Sequence, residues 1–513
     1  MKAHRYPAGC LFSSLNDIRN KRITIMGLGR NGGGCAAAQF FLRHGAYVTV
    51  TDMKDERELA PTIAVLESDH RFNHTHLTYH LGGHNTADFS NADCVIKNPG
   101  IRYDNNEYLA AARAIETDIS VFLALSRAPI IAVTGSKGKS STVSAIHYGL
   151  STAGIPSFLG GNITVSPLSF LEQTNEHTPV ILELSSWQLA DLRGRNLLKP
   201  HIAVITKIVP DHLNWYDSME AYVADKRLIY SAQTESDFSI FYAGPNAAQT
   251  GQSGSWEDSF ATETHGTVLR YGTDRPDGRY RGAWIETDGT SWCGKILLPD
   301  MAQPETVLTE LSVPGTHMRE NALAAALVMA ILRVPASDTA RILASWPGTA
   351  HRLQHFHTAP CGGRIIRFYN DSCATVPEAA AAAVAAFDPP CILIAGGTDK
   401  ALDFTPLANM LAAQAKQCTA SYQTVTATPL YLLAGSGTDK LTPLLAARTI
   451  SYNGPYETLP ALLAALKEHE CTAPSNADTV VFSPGATSFG MFANEFDRGN
   501  RYMELVKKIF PAA

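Results

Sequence analysis

The chain has 513 residues, of which 45% are apolar and 18% are charged, and its formal net charge is −6. This length supplies about three domains of roughly 150 residues each. The chain has 42 basic and 48 acidic residues, and the basic ones form no tract. We therefore expect neither nucleic acid nor a membrane surface as a partner. Without a leader-like start or an apolar run of about 18 residues, we expect a protein that is neither secreted nor inserted in a membrane. The nine cysteines are an odd number without C-x-x-C, which predicts no disulfide framework and a reducing cytoplasm.

The first unit along the chain is a strand, a glycine turn, a helix and a second strand. The apolar stretch 22–26 precedes the turn GLGRNG at residues 27–32, and a second apolar stretch ends at Asp52. This spacing matches G-x-G-x-x-G with an acidic residue about 20 positions on, which is typical of dinucleotide sites. By itself it indicates only that a phosphate-bearing ligand can approach a helix N-terminus, and a turn without a ligand is the alternative.

A second glycine turn carries a stronger signal for a nucleotide. The apolar run 130–134 leads into a loop that is followed by a helical pattern from Val143, and the loop consists of Gly135, Ser136, Lys137, Gly138, Lys139, Ser140 and Ser141. The glycines let the backbone aim N–H groups at an anion, and the helix adds its positive end. We expect Lys139 to reach the outer phosphates and the Ser140 hydroxyl to join a magnesium shell. Val133 replaces the first glycine of the usual G-x-x-x-x-G-K-[ST], and an ordinary turn is the alternative.

Strand and helix patterns alternate along the rest of the chain. Apolar runs at 180–183 and 201–206 have the length of buried parallel strands. Residues 231–314 indicate short strands and loops, and residues 321–332 a helix. Further strands are predicted at 364–369, 391–397, 430–435 and 480–485, with a helix over the alanine run 379–383. This alternation predicts an α/β fold throughout.

Several motifs together resemble those of the Mur ligases, the amide ligases of peptidoglycan precursor synthesis. The most discriminating stretch is ELSSWQL at residues 183–189. The other matching stretches span nearly the whole chain in the family's order: the turn 27–32, residues 98–101, the loop 135–141, residues 160–163 and 211–213, Lys226, and residues 317–321, 351–352, 370–372, 396–400 and 483–499.

The resemblance implies three domains: residues 1–117 as a Rossmann-like domain that binds the UDP substrate, residues 118–348 as a central P-loop ATPase-like domain with a parallel sheet, and residues 349–513 as a Rossmann-like domain that binds ATP and the amino acid. It implies transfer of the ATP γ-phosphate to the carboxylate of UDP-N-acetylmuramoyl-L-alanine, followed by attack of the glutamate amine, with D-glutamate as the expected form. Such a site needs cations and oriented donors more than a protein nucleophile. ATP and two Mg²⁺ ions are the implied cofactors, with Mn²⁺ as an alternative metal. The protein is expected to be a monomer.

The resemblance also assigns roles to individual residues. The catalytic group is Lys139, Asn162, His212 and Lys226. The metal ligands are Ser140, Glu183, His212 and Lys226, with Lys226 carbamylated so that it offers an oxygen ligand. The nucleotide contacts are Gly135 to Ser141, Asn321, Arg352 and Asp371. The substrate contacts are Arg30, Asn31, Asp52, Asn98, Ser185, Thr375, Lys400 and Ser488.

Five positions depart from the family pattern, among them Met318, where an asparagine is common, and Gln354, where a glutamate is common. Cys373 stands where many relatives have a lysine beside the ATP phosphates, and Gly490 stands where an aspartate is usual. Glu495 stands where relatives often carry an aromatic residue at the glutamate pocket. An acid beside an acidic substrate needs a compensating charge, for which Lys400 or Arg498 is available.

Alternative functions remain open at this point. An L-glutamate-specific variant, or a related Mur-type or folylpolyglutamate-type ligase with another acceptor or amino acid, would share the phosphate loop. An NAD-dependent dehydrogenase would explain residues 27–52 but gives Lys139, Glu183 and His212 no role. A nucleotide-binding scaffold without catalysis is the third alternative.

Overall fold

The computed structural model describes residues 9–29, 32–163, 165–211, 215–244, 256–289, 291–387, 391–400, 402–421, 429–472, 475 and 477–512. The chain divides into two compact units, one formed by residues 1–309 with 320–343 and the other by residues 310–319 with 344–513. Over the described ranges, no helix is both long and apolar enough to cross a membrane.

A five-stranded parallel sheet opens the first unit, in the order β3-β2-β1-β4-β5. Its strands are β1 (Arg22–Met26), β2 (Tyr47–Asp52), β3 (Leu77–Leu81), β4 (Cys94–Lys97) and β5 (Ile115–Glu116). Its helices are α1 (Gly33–Arg43), α2 (Glu56–Glu67), α3 (Thr86–Ser90), α4 (Glu107–Ala111) and α5 (Asp118–Leu125). The strand order reverses direction between β1 and β4, and ligands of such sheets bind at the carboxyl ends of strands beside that reversal.

A nine-stranded sheet completes the first unit, in the order β14-β13-β12-β11-β10-β9-β6-β8-β7. Its strands are β6 (Ile130–Thr134), β7 (Phe158–Gly161), β8 (Val180–Glu183), β9 (Ile202–Ile205), β10 (Phe238–Tyr242), β11 (Thr267–Tyr271), β12 (Arg281–Asp288), β13 (Ser291–Leu297) and β14 (Glu305–Leu308). The helices along this stretch of chain are α6 (Lys139–Thr152), α7 (Ser186–Ala190), α8 (Met219–Arg227), α9 (Trp256–Glu263), α10 (Thr316–Ile331) and α11 (Ala336–Ala344). Pairing is parallel from β7 to β12 and antiparallel from β12 to β14.

The second unit holds a six-stranded sheet in the order β15-β16-β20-β17-β18-β19. Its strands are β15 (Gln354–Cys361), β16 (Arg364–Asn370), β17 (Ile392–Gly396), β18 (Leu430–Leu433), β19 (Asn453–Tyr456) and β20 (Thr479–Phe482). Its helices are α12 (Pro377–Ala385), α13 (Thr405–Ser421), α14 (Ser436–Ala446), α15 (Leu459–Thr472) and α16 (Glu495–Ile509). Alternate residues of β17 enter different apolar clusters, with Ile392 in one and Leu393 in the other, so both faces of this sheet are buried.

Four short 3₁₀ helices complete the regular structure that is described here: Leu15–Ile18, His74–His76, Pro167–Ser169 and Leu171–Gln173.

The α/β class and the strands predicted from apolar runs are confirmed. In the described part of residues 231–314, the predicted short strands are present as β10 to β14, whereas the helix α9 was not predicted. One bound was wrong, because the helix after the phosphate loop begins at Lys139 and not at Val143. Gly138 has a left-handed backbone (φ 97°) that turns the chain directly into this helix. The boundaries at 117/118 and 348/349 stay a prediction.

Candidate active site

The phosphate loop joins β6, an interior strand of the nine-stranded sheet, to α6. Gly135 has φ +145°, and a Cβ atom at this position would overlap the Thr206 side chain. A Cβ at Gly138 would lie 2.6 Å from Oδ1 of Asn321. Only glycine fits both positions without displacing its neighbours. The two glycines therefore hold the loop close to β9 and α10, at the positive end of a 14-residue helix.

Two lysines from different helices meet at one carbonyl of this loop. Nζ of Lys139 lies 2.9 Å from the Gly135 carbonyl oxygen and 3.1 Å from that of Ser136. Nζ of Lys226, on α8, lies 2.9 Å from the same Gly135 oxygen. Lys226 is 1% exposed, and burial, followed by the positive charge of Lys139, lowers its pKa well below the usual value. The arrangement favours an uncharged amine at Lys226.

Glu183 offers a carboxylate oxygen next to this loop. It ends β8, pairs with Val133 of β6, and is 1% exposed. Oε1 accepts a hydrogen bond of 2.9 Å from the side-chain amide of Asn162, whereas Oε2 is buried without a hydrogen-bond partner in the described part of the chain. A buried, unpartnered carboxylate oxygen is costly unless a cation neutralises it. This oxygen fits the role of a metal ligand. The negative charge of Glu183 also acts on Lys226, where it opposes the lowering of the pKa by burial.

Other predicted members of the loop have partners within the protein. The Ser136 hydroxyl donates to the Val209 carbonyl at 2.9 Å and accepts from the Tyr222 hydroxyl at 3.1 Å. Nζ of Lys137 pairs with Asp211 at 3.1 Å, and its side chain is 66% exposed. The backbone amides of both residues donate to the Lys207 carbonyl. Ser136 therefore has a supporting position in the loop, and its nucleotide contact stays a prediction, as do those of Lys137, Ser140 and Ser141.

Ser185 has a structural role that the sequence analysis missed. Its side chain caps α7 and accepts from the Gln188 amide at 3.2 Å, and the Gln188 side chain accepts from the Ser185 amide at 3.0 Å. This is a capping box, which the spacing S-x-x-Q predicts. Contact between Ser185 and the substrate stays a prediction.

The candidate substrate contacts of the first sheet lie at its carboxyl edge. Asp52 ends β2 and is 7% exposed, and its carboxylate accepts from the backbone amides of Gly29 and Lys54 at 3.0 and 2.9 Å. Asn98 follows β4, next to the Gly27 turn after β1. Strands β1 and β4 flank the reversal of strand order, where a ligand is expected. Arg30 and Asn31 lie outside the described residues.

A buried ion pair ties the Asn98 turn to the end of α7. Nζ of Lys97 lies 2.8 Å from Oδ2 of Asp191, and the side chains are 3% and 11% exposed. The same nitrogen donates to the carbonyls of Ile101 at 3.1 Å and Asn98 at 3.4 Å. The sequence reasoning missed this pair because 94 positions separate the two residues along the chain. The pair fixes the turn that follows β4 relative to the segment after Glu183.

In the second unit, candidate residues lie at the carboxyl ends of adjacent strands. Asp371 follows β16, and its two oxygens accept from the Ser483 hydroxyl at 2.7 Å and the Leu353 amide at 3.1 Å. Burial raises its pKa to about 7. Ser488 is 4% exposed, Thr375 is half-buried, and Arg352 and Lys400 are exposed. Their predicted contacts with ATP and glutamate are not tested by these positions.

Arg498 joins the two loops that carry Thr375 and Ser488. It is 1% exposed and donates to the carbonyls of Ala486 at 2.9 Å and Ser372 at 2.7 Å. Its charge and that of Glu495 attract each other. Arg498 therefore links the two loops through hydrogen bonds, and its positive charge also opposes that of Glu495.

His212, the remaining predicted metal ligand, lies outside the described residues. Among those that are described, no group of three or more His, Cys, Asp or Glu side chains could hold a metal ion. The predicted metal ligands include a serine and a lysine, as well as His212. Such a set is not a group of His, Cys, Asp or Glu side chains alone. Asn321, predicted beside the nucleotide, is 7% exposed and accepts from the Thr142 hydroxyl at 3.4 Å.

Comparison with known proteins identifies the class. Residues 21–121 match the family described as Mur ligase MurD-like, N-terminal domain, and residues 133–329 match the Mur ligase middle domain. Solved structures agree in fold: MurC from Thermotoga maritima has a TM-score of 0.56 at 17% identity, covering 95% of this chain and 100% of that one. MurF from Thermotoga maritima in complex with ADP has a TM-score of 0.50 at 15% identity, covering 99% of both chains.

Full-length relatives narrow the identification. The UDP-N-acetylmuramoylalanine–D-glutamate ligase of Treponema pallidum (strain Nichols) is 41% identical, covering 96% of this chain and 98% of that protein. The ligase of the same name from Borreliella afzelii (strain PKo) is 35% identical, covering 96% and 99%. The chain belongs to the Mur ligase family. Within the family, it is similar to ligases that carry this name.

Proposed function

We propose that the protein is an ATP-dependent ligase that joins D-glutamate to UDP-N-acetylmuramoyl-L-alanine during peptidoglycan precursor synthesis. The names of its relatives give the reactants, and the neighbour solved with ADP supports ATP as the nucleotide. The observation that carries the proposal is the group at the phosphate loop. There Lys139 and Lys226 meet at the Gly135 carbonyl, and Glu183 holds an unpartnered buried oxygen.

The residues suit a reaction between anions. A carboxylate of the sugar nucleotide attacks the γ-phosphorus of ATP, and ADP leaves. The glutamate amine then attacks the acyl carbon, phosphate leaves, and the nitrogen gives up a proton. Lys139 and the amides at the start of α6 offset the negative charge that accumulates on the phosphoryl oxygens. We expect Asn162, whose side-chain amide donates to Glu183, to orient the acyl group.

We propose that Ser140, Glu183, His212 and Lys226 hold two Mg²⁺ ions, with Mn²⁺ as an alternative. Bound metal would neutralise charge on the phosphates. The lowered pKa of Lys226 favours the uncharged amine, which can react with carbon dioxide to give a carbamate, and a carbamate supplies the oxygen that a lysine lacks. Arg30, Asn31, Asp52, Asn98 and Ser185 are the proposed contacts of the sugar nucleotide. Asn321, Arg352 and Asp371 are proposed for ATP, and Thr375, Lys400 and Ser488 for glutamate. We further propose that the protein acts as a monomer in the cytoplasm, with domains divided near residues 117 and 348.

The deciding experiment measures phosphate release by the purified full chain with ATP, Mg²⁺ and UDP-N-acetylmuramoyl-L-alanine. D-glutamate, L-glutamate and neutral amino acids are offered separately. We expect turnover with D-glutamate and at least tenfold less with L-glutamate, since the opposite configuration misplaces the amine or a carboxylate. Equal turnover with neutral amino acids would refute glutamate as the substrate. ADP formation with no dependence on the sugar nucleotide would refute the ligase.

A further inference from the structure

Two cysteines of the second unit lie in contact although 110 positions separate them in the sequence. Cys361 ends β15 and Cys471 belongs to the last turn of α15, and their sulfur atoms are 3.0 Å apart. Both are free thiols. Cys361 is 6% exposed, whereas Cys471 is exposed to solvent. One thiol of the pair is therefore open to a reagent and the other is shielded directly behind it.

The surrounding contacts hold this pair in place. The turn between β15 and β16 uses Gly362 and Gly363, both with positive φ. A Cβ at Gly362 would overlap the Glu470 carbonyl and would lie 3.5 Å from Cα of Cys471. Arg364, just past this turn, pairs with the carboxylate of Glu470, which is buried. The turn and the end of α15 are thus fitted together by backbone packing and an ion pair, independently of the two sulfurs.

We propose that Cys361 and Cys471 form a reversible disulfide site whose oxidant is a low-molecular-weight disulfide of the glutathione class. The site lies outside the candidate active site, and the inference does not depend on the proposed function. Neither the number nor the spacing of the cysteines pointed to it, because pairing across 110 positions depends on the fold.

The reaction proceeds by two thiol–disulfide exchanges. The Cys471 thiolate attacks one sulfur of glutathione disulfide, which forms a mixed disulfide and releases one glutathione thiolate. Sγ of Cys361 then attacks Sγ of Cys471 and expels the second glutathione. Two protein thiols are oxidised, one glutathione disulfide is reduced to two thiols, and the two protons pass to the released thiolates. Exposure makes Cys471 the entry point, and burial raises the pKa of Cys361 to about 12, which makes the second exchange the slower one.

The position of the pair predicts what oxidation changes. Cys361 and Arg364 lie at the amino end of β16, and Asp371 follows its carboxyl end. Seven residues of strand separate the two ends, or roughly 23 Å at 3.3 Å per residue. A bond at the far edge should leave the catalytic constants within twofold. By closing a loop of more than 100 residues it should raise the unfolding temperature of the second unit by roughly 5–10 °C.

The test incubates the full-length protein with glutathione disulfide, followed by mass spectrometry and calorimetry. We expect a chain that has lost two hydrogen atoms, a peptide linking Cys361 to Cys471, the higher unfolding temperature, and reversal by dithiothreitol. C361S should retain one glutathione on Cys471. C471S should form no disulfide at Cys361, because the exposed thiol that starts the reaction is absent. C293S removes a half-buried thiol elsewhere and should behave like the unsubstituted chain.

Two results would overturn the proposal. The first is a stable glutathione adduct on Cys471 of the unsubstituted chain, because it would mean that Cys361 cannot complete the exchange. The second is a disulfide map in which Cys361 or Cys471 pairs with another cysteine. A linked peptide without any rise in unfolding temperature would refute the stabilising effect, and with it the packing argument.

Discussion

Replacing Lys97 with methionine removes one member of the buried pair that fixes the Asn98 turn. The side chains of Lys97 and Asp191 are 3% and 11% exposed, so the substitution would remove the positive charge of Lys97 from a carboxylate with little access to water. Removing one partner of a buried pair costs about 3–5 kcal/mol. The substitution also removes the donor to the Ile101 carbonyl. We therefore expect K97M to lower the free energy of unfolding of the first unit by about 3–5 kcal/mol.

The assay follows urea unfolding through tryptophan fluorescence, with Trp187 on α7 close to the pair. The double variant K97M/D191L should recover most of the loss, because two apolar side chains leave no charge stranded. R22M is the matched control, since Arg22 and Asp93 form an exposed pair of the same sheet at 3.8 Å, and it should cost less than about 1 kcal/mol. In K97M protein that remains folded, KM for the sugar nucleotide should rise several-fold and KM for ATP should change little. A loss below about 1 kcal/mol in K97M, or no recovery in the double variant, would refute the reasoning.

Three further predictions address the remaining chemistry. G135A should lower kcat/KM for ATP, measured by phosphate release, at least ~100-fold, because the added Cβ meets Thr206 and displaces the loop. G278A, whose Cβ meets nothing within 4 Å, is the control and should retain activity. Equal activities of the two variants would contradict this prediction. E183Q should raise the Mg²⁺ concentration for half-maximal activity at least ~10-fold, because it removes the charge of the unpartnered oxygen. E172Q, at an exposed carboxylate, is the control. An unchanged metal titration in E183Q would exclude Glu183 as a metal ligand. Burial raises the pKa of Asp371 to about 7, above its unfolded value, so its contribution to stability is present at low pH and is lost as pH rises toward 7. Urea midpoints should therefore fall more steeply from pH 5 to pH 7 for the unsubstituted chain than for D371N, and parallel slopes would count against this.

The sequence predicted the features that repeat or that lie close together along the chain. Apolar runs gave β8 and β20 because buried strands need them, and the glycines of the phosphate loop marked a turn that other residues cannot adopt. The cap of α7 was not predicted, although the spacing from Ser185 to Gln188 carries the signal of a capping box.

Contacts between distant residues could not be predicted in this way. The meeting of Lys139 and Lys226 at one carbonyl depends on where α8 packs against the loop, and no local pattern records that. The same holds for the partner of Lys97, whose burial gives an otherwise ordinary lysine its role. A single sequence shows which residue types are present, whereas the fold decides which of them lose contact with water.

The strands β10 to β14 all lie on one side of β9, away from β6 and β8. Changes in the outer part of this sheet therefore need not disturb the order β9-β6-β8-β7, from which the phosphate loop and Glu183 emerge. The hairpin between β12 and β13, which contains Gly289 with φ +59°, is a natural point for inserting a peptide tag or a fluorescent reporter. Such a fusion would allow the enzyme to be immobilised or followed in cells while its chemistry stays intact.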